Sequence, residues 1–326
     1  MVGNHNGGML KPIQCNGWTA LTDWGVIQVQ GADAATFLHQ QLSQDFLLVK
    51  PLTARLAAYC SPKGRMLASL IAVPLDSDHW GLVLPLALVE GTLKRLSLFV
   101  LRAKVQLSHD PQAWQVWGAL GDAAESVWGA SDAPLPTWQC AVMKTPWPTG
   151  AVGLALPAAP DCARALVLSH PLSPDAPPCP MSHPQAWAWA EVASAIPHVD
   201  AVGREAFVPQ MLNFESIGGV NFKKGCYPGQ EVVARSQFRG AIKRRTVRAS
   251  AHVPLPPGTP IYLSGDAREP VGVVVNSSAI PEEPTEHLAL VCVQTDALQA
   301  PALCVGDAKG PELHLQGLPY SLLEDI

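Results

Sequence analysis

The sequence lacks the short signatures by which many enzymes are recognised. No Gly-x-Gly-x-x-Gly follows an expected strand, and neither a Gly-x-x-x-x-Gly-Lys-Ser/Thr loop nor a Gly-x-Ser-x-Gly elbow occurs. Support for nucleotide cofactors and for serine hydrolysis is therefore missing. The eight cysteines, at 15, 60, 140, 162, 179, 226, 292 and 304, form no Cys-x-x-Cys pair, and no histidine pair has zinc spacing. No metal site is expected from such a pattern. The scattered thiols also lack the regular spacing of a disulfide scaffold, and they read as mostly reduced core residues of a cytoplasmic protein. No apolar run reaches the length of a membrane span. Met1 to Lys11 carries no apolar signal core, which predicts no secretory export. Tyrosine is scarce, four residues against ten tryptophans. Most of those tryptophans should be packing units, but a flat ligand would also find stacking faces among them.

What is present points to a large mixed protein with one reactive loop. At 326 residues and 48% hydrophobic content, two or three domains are the natural expectation. The net charge of −5 conceals an asymmetry. Asn221 to Arg248 holds eight Lys or Arg against one Glu, a local +7, which leaves −12 for the rest. That segment contains Lys223-Lys224-Gly225-Cys226-Tyr227-Pro228-Gly229-Gln230-Glu231. A structural cysteine normally sits among apolar neighbours, whereas one beside cations has its thiolate stabilised and is a better nucleophile or ligand. Gly225 and Gly229 permit unusual backbone angles and close approach, and Pro228-Gly229 reads as a turn. The concentrated charge suggests an anionic ligand or partner, with a merely solvated basic face as the alternative.

Local patterns favour an α+β arrangement. Trp24 to Gln30 alternates as a strand, and Asp33 is placed to cap a helix running to about Leu42. Arg55–Tyr59 and Met66–Val73 read as a hairpin about the turn Ser61-Pro62-Lys63-Gly64. Trp80–Leu84 and Trp114–Leu120 read as strands, and Leu86–Leu98 as an amphipathic helix. Residues 131–180 carry eleven prolines in fifty positions. They read as irregular connecting structure, with short strands such as Ala151–Leu156 allowed. Trp187–Ala195 is helical in composition. From Thr246 onward, β-rich pieces at Thr246–Val253, Pro260–Leu263, Val271–Val275, Leu288–Gln294 and Glu312–Leu315 suggest a small barrel or sandwich.

Lys224 to Glu231, followed by Ala234-Arg235 and Arg239-Gly240, resembles the hallmark of the YgfZ family of folate-binding proteins, relatives of the glycine-cleavage aminomethyltransferases. The resemblance implies two interleaved α+β lobes over 12–240, forming a folate-binding body, and a C-terminal β-barrel over 241–326. It implies a cytoplasmic, tetrahydrofolate-binding accessory protein that supports iron–sulfur cluster assembly or repair in client enzymes, including some that modify tRNA. Cys226 is then the reactive group, as thiolate ligand or nucleophile, and Lys224 lowers its pKa or contacts an anion. Tyr227, Gln230 and Glu231 shape the loop, and Arg235 and Arg239 would neutralise a folate glutamate tail. Trp24 and Trp187 match the family's pterin-stacking positions. Two departures stand out. Ala193 and Ala195 occupy places where the family often has glutamate and glycine, although Glu191 is nearby. Arg65 to Leu70 carries no carboxylate where the aminomethyltransferases have an aspartate pair, which argues against classical aminomethyl transfer. A folate-dependent one-carbon transferase and a tRNA-binding module are the alternatives.

Overall fold

The computed structural model describes residues 15–127, 135–144, 147–172, 180–240, 242–281 and 283–323. The chain opens with β1 (Gly17–Ala20), β2 (Trp24–Gln30) and α1 (Ala34–Gln41). There follow β3 (Arg55–Cys60), β4 (Met66–Asp76), β5 (His79–Pro85), α2 (Leu86–Ser97) and β6 (Gln106–Ser108). Next come β7 (Gln115–Leu120), α3 (Asp122–Ser126), β8 (Cys140–Val142), β9 (Val152–Ala159), β10 (Cys162–Ser169) and α4 (Pro184–Ala193). A 3-10 turn at Pro209–Leu212 precedes α5 (Gln230–Phe238). The remaining strands are β11 (Arg244–Ala251), β12 (Pro260–Leu263), β13 (Gly272–Ile280), β14 (Glu283–Gln294), β15 (Leu303–Val305) and β16 (Glu312–Gln316).

These strands make two five-stranded antiparallel sheets and a closed six-stranded barrel. The first sheet runs β3-β4-β5-β2-β6, the second β1-β7-β10-β9-β8, and the barrel β11-β14-β13-β12-β15-β16. The lobes interleave because β1 pairs with β7 of the second sheet before the chain builds the first. A main core unites the first sheet, one face of the second and α4, where Trp189 is 1% exposed. The opposite face of the second sheet packs Trp18, Trp117 and Trp147 against α3. The barrel has its own apolar interior, including Ile261, Val291 and Leu303.

Two expectations need correction. Residues 131–180 are not mere connection: they supply β8, β9 and β10, and β10 lies at the centre of the second sheet. Pro157 is tolerated in β9 because it falls where the β9–β10 register shifts, between the pairs Cys162–Ala159 and Arg164–Leu156. Asp33 flanks α1 but its side chain does not cap it; the carboxylate instead accepts the Lys104 amide at 2.7 Å and ties the helix start to a neighbouring loop.

The segment between α4 and the barrel returns to the first lobe. The Met66 amide donates to the Phe207 carbonyl and the Asn221 amide to the Ser43 carbonyl. Gly229, at φ +80°, is pressed on the β3–β4 turn: a Cβ there would collide with the Ser61 carbonyl and lie 2.7 Å from Gly64 Cα. Gly64 is itself at φ +70°, and a Cβ on it would lie 2.8 Å from Val232 Cβ. Two glycines thus let the cysteine loop dock on the hairpin tip.

Candidate functional site

The first group of functional side chains lines a narrow cleft between the two sheets. Trp24 and Trp138 stand on its apolar wall with Leu56, Leu70 and Leu166, and Arg164, Glu191 and His198 supply polar atoms. The cleft continues toward the barrel past Asp23, Asp200 and Asn276. Trp24 opens β2 and tilts against His198, with ring centroids 5.5 Å apart. Trp138 sits at φ +69°, a strained region for a bulky residue. Backbone bonds from its amide to Ala155 and from Ala54 to its carbonyl hold it there, bridging the two lobes.

Arg164, on β10, is buried beneath the cleft. It donates to Ser194 Oγ at 2.6 Å and to the Pro157 carbonyl at 3.2 Å, and lies 3.7 Å from a Glu191 carboxylate oxygen. Its guanidinium covers the Trp187 ring at 4.9 Å. Burial pushes the Arg164 pKa down, against the opposing charge of Glu191. Burial likewise pushes the Glu191 carboxyl above its usual range, while His198 and Arg164 pull the other way. A raised carboxyl can donate as well as accept a hydrogen bond. Glu191, two residues before Ala193 on α4, thus brings a carboxyl to the cleft lining. Trp187 lies elsewhere than on the cleft wall: it is 3% exposed and packs on Gly118, where any Cβ would collide with its ring.

The second group is the cysteine loop at the hairpin tip. Cys226 is exposed, while the other described cysteines are buried; Cys179 lies outside the described residues. The hairpin residue Ser69 lines the cleft and Gly64 touches the loop, so the two groups are about 17 Å apart along the strand. Lys224 is 7% exposed, and its ammonium donates to the His39 and Leu42 carbonyls at the end of α1, the latter at 2.7 Å. It also lies 4.6 Å above the Tyr227 ring. Burial lowers its pKa to about 8, with Asp45 and Cys226 opposing. Tyr227 is buried, which pushes its phenol up, as does the charge of Cys60.

The Gln230 amide donates to the Tyr227 carbonyl and starts α5. Glu231 and Arg235 form an exposed i,i+4 pair at 3.6 Å. Arg239 is exposed at the end of α5, and neither arginine belongs to the cleft lining. Among the described residues no helix is long and apolar enough to cross a membrane, and no group of three or more His, Cys, Asp or Glu is placed to hold a metal.

Sequence reasoning missed His39, Asp45, Trp138 and Arg164. His39 lies 3.3 Å from Asp45, and its Nε2 faces Gly225. The approach of Gly225 to His39 joins residues 186 positions apart, beyond the reach of local spacing. Trp138 and Arg164 lay within the proline-rich stretch read as connection.

The fold is that of the aminomethyltransferases. The crystal structure of glycine cleavage system aminomethyltransferase T from Bartonella henselae superposes with a TM-score of 0.58 at 14% identity, covering 95% of this chain and 87% of that one. In sequence, the chain is 29% identical over 315 residues to tRNA-modifying protein YgfZ of Shigella boydii serotype 18, covering 93% of each. The YgfZ resemblance carried by the cysteine loop thus extends over nearly the whole chain. No family model matches it.

Proposed function

We propose that this protein binds a tetrahydrofolate in the central cleft and acts in the cytoplasm as an accessory factor for iron–sulfur client enzymes, including tRNA-modifying ones. The cleft carries this reading. Its lining combines apolar walls with a few convergent polar groups, the character of small-molecule sites. A reduced pterin is a flat ring with donors and acceptors along one edge. Trp24 and Trp138 would hold its faces, and Glu191 and Arg164 its polar edge. The residues fit the group: Arg164 Nε is buried without a hydrogen-bond partner, and Glu191 has its protonated form favoured by burial. When bound, tetrahydrofolate supplies a carrier for one-carbon units. The link to tRNA modification is supported by similarity to tRNA-modifying protein YgfZ, and the link to iron–sulfur clients only by what the cysteine-loop resemblance implies. The same reading divides the chain into a folate-binding body, 12–240, and the barrel, 241–326.

Cys226 is the reactive group in this proposal, with Lys224 as a fixed positive charge beside it. Tyr227, Gln230 and Glu231 shape the loop and the start of α5. The segment Arg65 to Leu70 offers no carboxylate to assist aminomethyl transfer.

Titration of tryptophan fluorescence with a reduced folate tests the cleft. Quenching is expected in the native protein and in Trp187→Phe, and weaker quenching in Trp24→Phe and Trp138→Phe. Undiminished quenching and affinity in the latter two would overturn the assignment. Anaerobic purification with bound folate and iron quantified together, and an assay for turnover of methylene- or formyl-folate, separate the accessory reading from a one-carbon transferase.

A further inference from the structure

Two contacts hold the cysteine loop against a single residue of α1. The Lys224 ammonium donates to the His39 carbonyl, and Gly225 faces the His39 ring, where an added Cβ would lie 3.4 Å from Nε2. Cys226 is the next residue and is exposed. The other ring nitrogen, Nδ1, lies 3.3 Å from Asp45 Oδ1 and 3.4 Å from the Phe46 amide. Asp45 Oδ1 also accepts the Leu47 and Leu48 amides at 2.8 and 2.9 Å. Burial opposes ionisation of Asp45, but these amides and His39 outweigh it and leave its pKa below the usual value. The ionised carboxylate beside Nδ1 favours the tautomer with its proton there over the one in which Nδ1 accepts the longer Phe46 amide contact, and it leaves the Nε2 lone pair facing the loop.

We propose that His39, oriented by Asp45, is the general base that deprotonates Cys226. In the step, the thiol proton passes to His39 Nε2, giving a thiolate and an imidazolium, with no change of oxidation state. This inference rests on the reading of Cys226 as the reactive group. The structure shows no hydrogen bond between the thiol and the ring, and such bonds commonly tighten only when substrate is bound. The charged and titratable groups around His39 are Asp45, Lys224 and Cys226, with Arg55 acting on Asp45. Lys224 favours a nearby thiolate by its charge, but its ammonium is engaged with helix carbonyls. His39 therefore supplies the proton acceptor and Lys224 the field.

A purely structural role for His39 would be to accept the Phe46 amide. His39→Asn keeps a polar group near the Nδ1 position and removes Nε2, and Asp45→Asn keeps shape and removes charge. The test follows Cys226 alkylation by iodoacetamide across pH, read by peptide mass spectrometry, in the native protein, both variants and Lys224→Met. The native profile is expected to show a second inflection below that of the thiol. His39→Asn should lose it and react about tenfold more slowly at pH 7. Profiles of native protein and His39→Asn that superimpose, with both proteins folded by circular dichroism, would overturn the proposal. So would loss of the inflection in Lys224→Met but not in His39→Asn. Folate quenching measured in the same variants keeps the outcomes distinct. Absent folate binding with a His39-dependent profile would fail the folate reading alone, and intact folate binding with superimposed profiles would fail this inference alone.

Discussion

The ammonium of Lys224 sits at the C-terminal end of α1, where the last carbonyls carry partial negative charge and lack helical partners. Its removal leaves the His39 and Leu42 carbonyls with one partner fewer in a buried place. Lys224→Met is expected to cost about 2–3 kcal/mol at pH 7 by urea unfolding. The pH dependence has a definite sign. Burial holds the folded pKa at about 8 against 10.5 for an ordinary lysine. Between those values the unfolded chain binds more protons, so this group makes stability rise with pH across that window. The variant should lack that rise; an identical pH dependence in variant and native protein would show that Lys224 is not buried as a cation. Cys226 contrasts with it. Being exposed, it should tolerate Cys226→Ser with stability unchanged within about 0.5 kcal/mol, while the activity proposed for its thiol is lost. Gly229→Ala, forced to φ +80° and against the Ser61 carbonyl, is expected to cost about 1–3 kcal/mol and to expose Cys226 peptides to faster hydrogen exchange.

Elements with a clean period and a local turn signal were legible in the sequence. β2 spans the expected Trp24–Gln30, and the β3–β4 hairpin turns at Ser61–Gly64, where the Gly64 amide closes on the Ser61 carbonyl. β12 spans the expected Pro260–Leu263, whereas β13 and β14 run longer than their apolar cores. The short strands β1, β6, β8 and β15 were not read, because three or four residues carry too little pattern. β9 overlaps the short strand allowed at Ala151–Leu156, whereas β10 was obscured by flanking prolines, although only Pro157 falls inside either strand. The cysteine loop was legible because its residues are contiguous. The cleft was not, since Trp24, Trp138, Arg164 and Glu191 come from four distant segments and meet only through the sheets. Leu166 tests the corrected weight of the proline-rich stretch. It is 1% exposed at the centre of the second sheet and also borders the cleft. Leu166→Ala should destabilise by about 2–5 kcal/mol in denaturant unfolding. A loss below about 1 kcal/mol would mean that β10 is peripheral.

For the molecule as a whole, the basic segment offers less to an anionic partner than its local +7 suggests. Lys224 caps α1, Arg245 forms a buried ion pair with Glu215, and Arg248 donates to the Gly317 and Ala193 carbonyls. Lys223, Arg235, Arg239, Lys243 and Arg244 remain, and Arg235 is paired with Glu231. About four net charges are therefore free to meet phosphate, on a chain whose total is −5. With counterion release of about 0.7 per phosphate for single strands, log affinity would fall with log salt at a slope near −3, roughly a fiftyfold loss between 50 and 200 mM. Affinity for tRNA in physiological salt should then be no tighter than nonspecific, about 10⁻⁴ M or weaker. The proposed link to tRNA would then pass through client enzymes rather than direct contact. Fluorescence anisotropy with labelled tRNA across a salt series measures both quantities. A slope much steeper than −3, with submicromolar affinity at 150 mM salt, would reveal an RNA surface beyond this segment and favour the tRNA-binding alternative. The same arginines bear on a polyglutamate tail. They lie outside the cleft lining, while Asp23 and Asp200 line its barrel side. Lengthening the tail should therefore tighten folate binding only if it exits toward α5, and Arg239→Glu should then remove the gain without altering monoglutamate binding. An unchanged tail-length effect in that variant would sink the role of Arg239 in holding the tail.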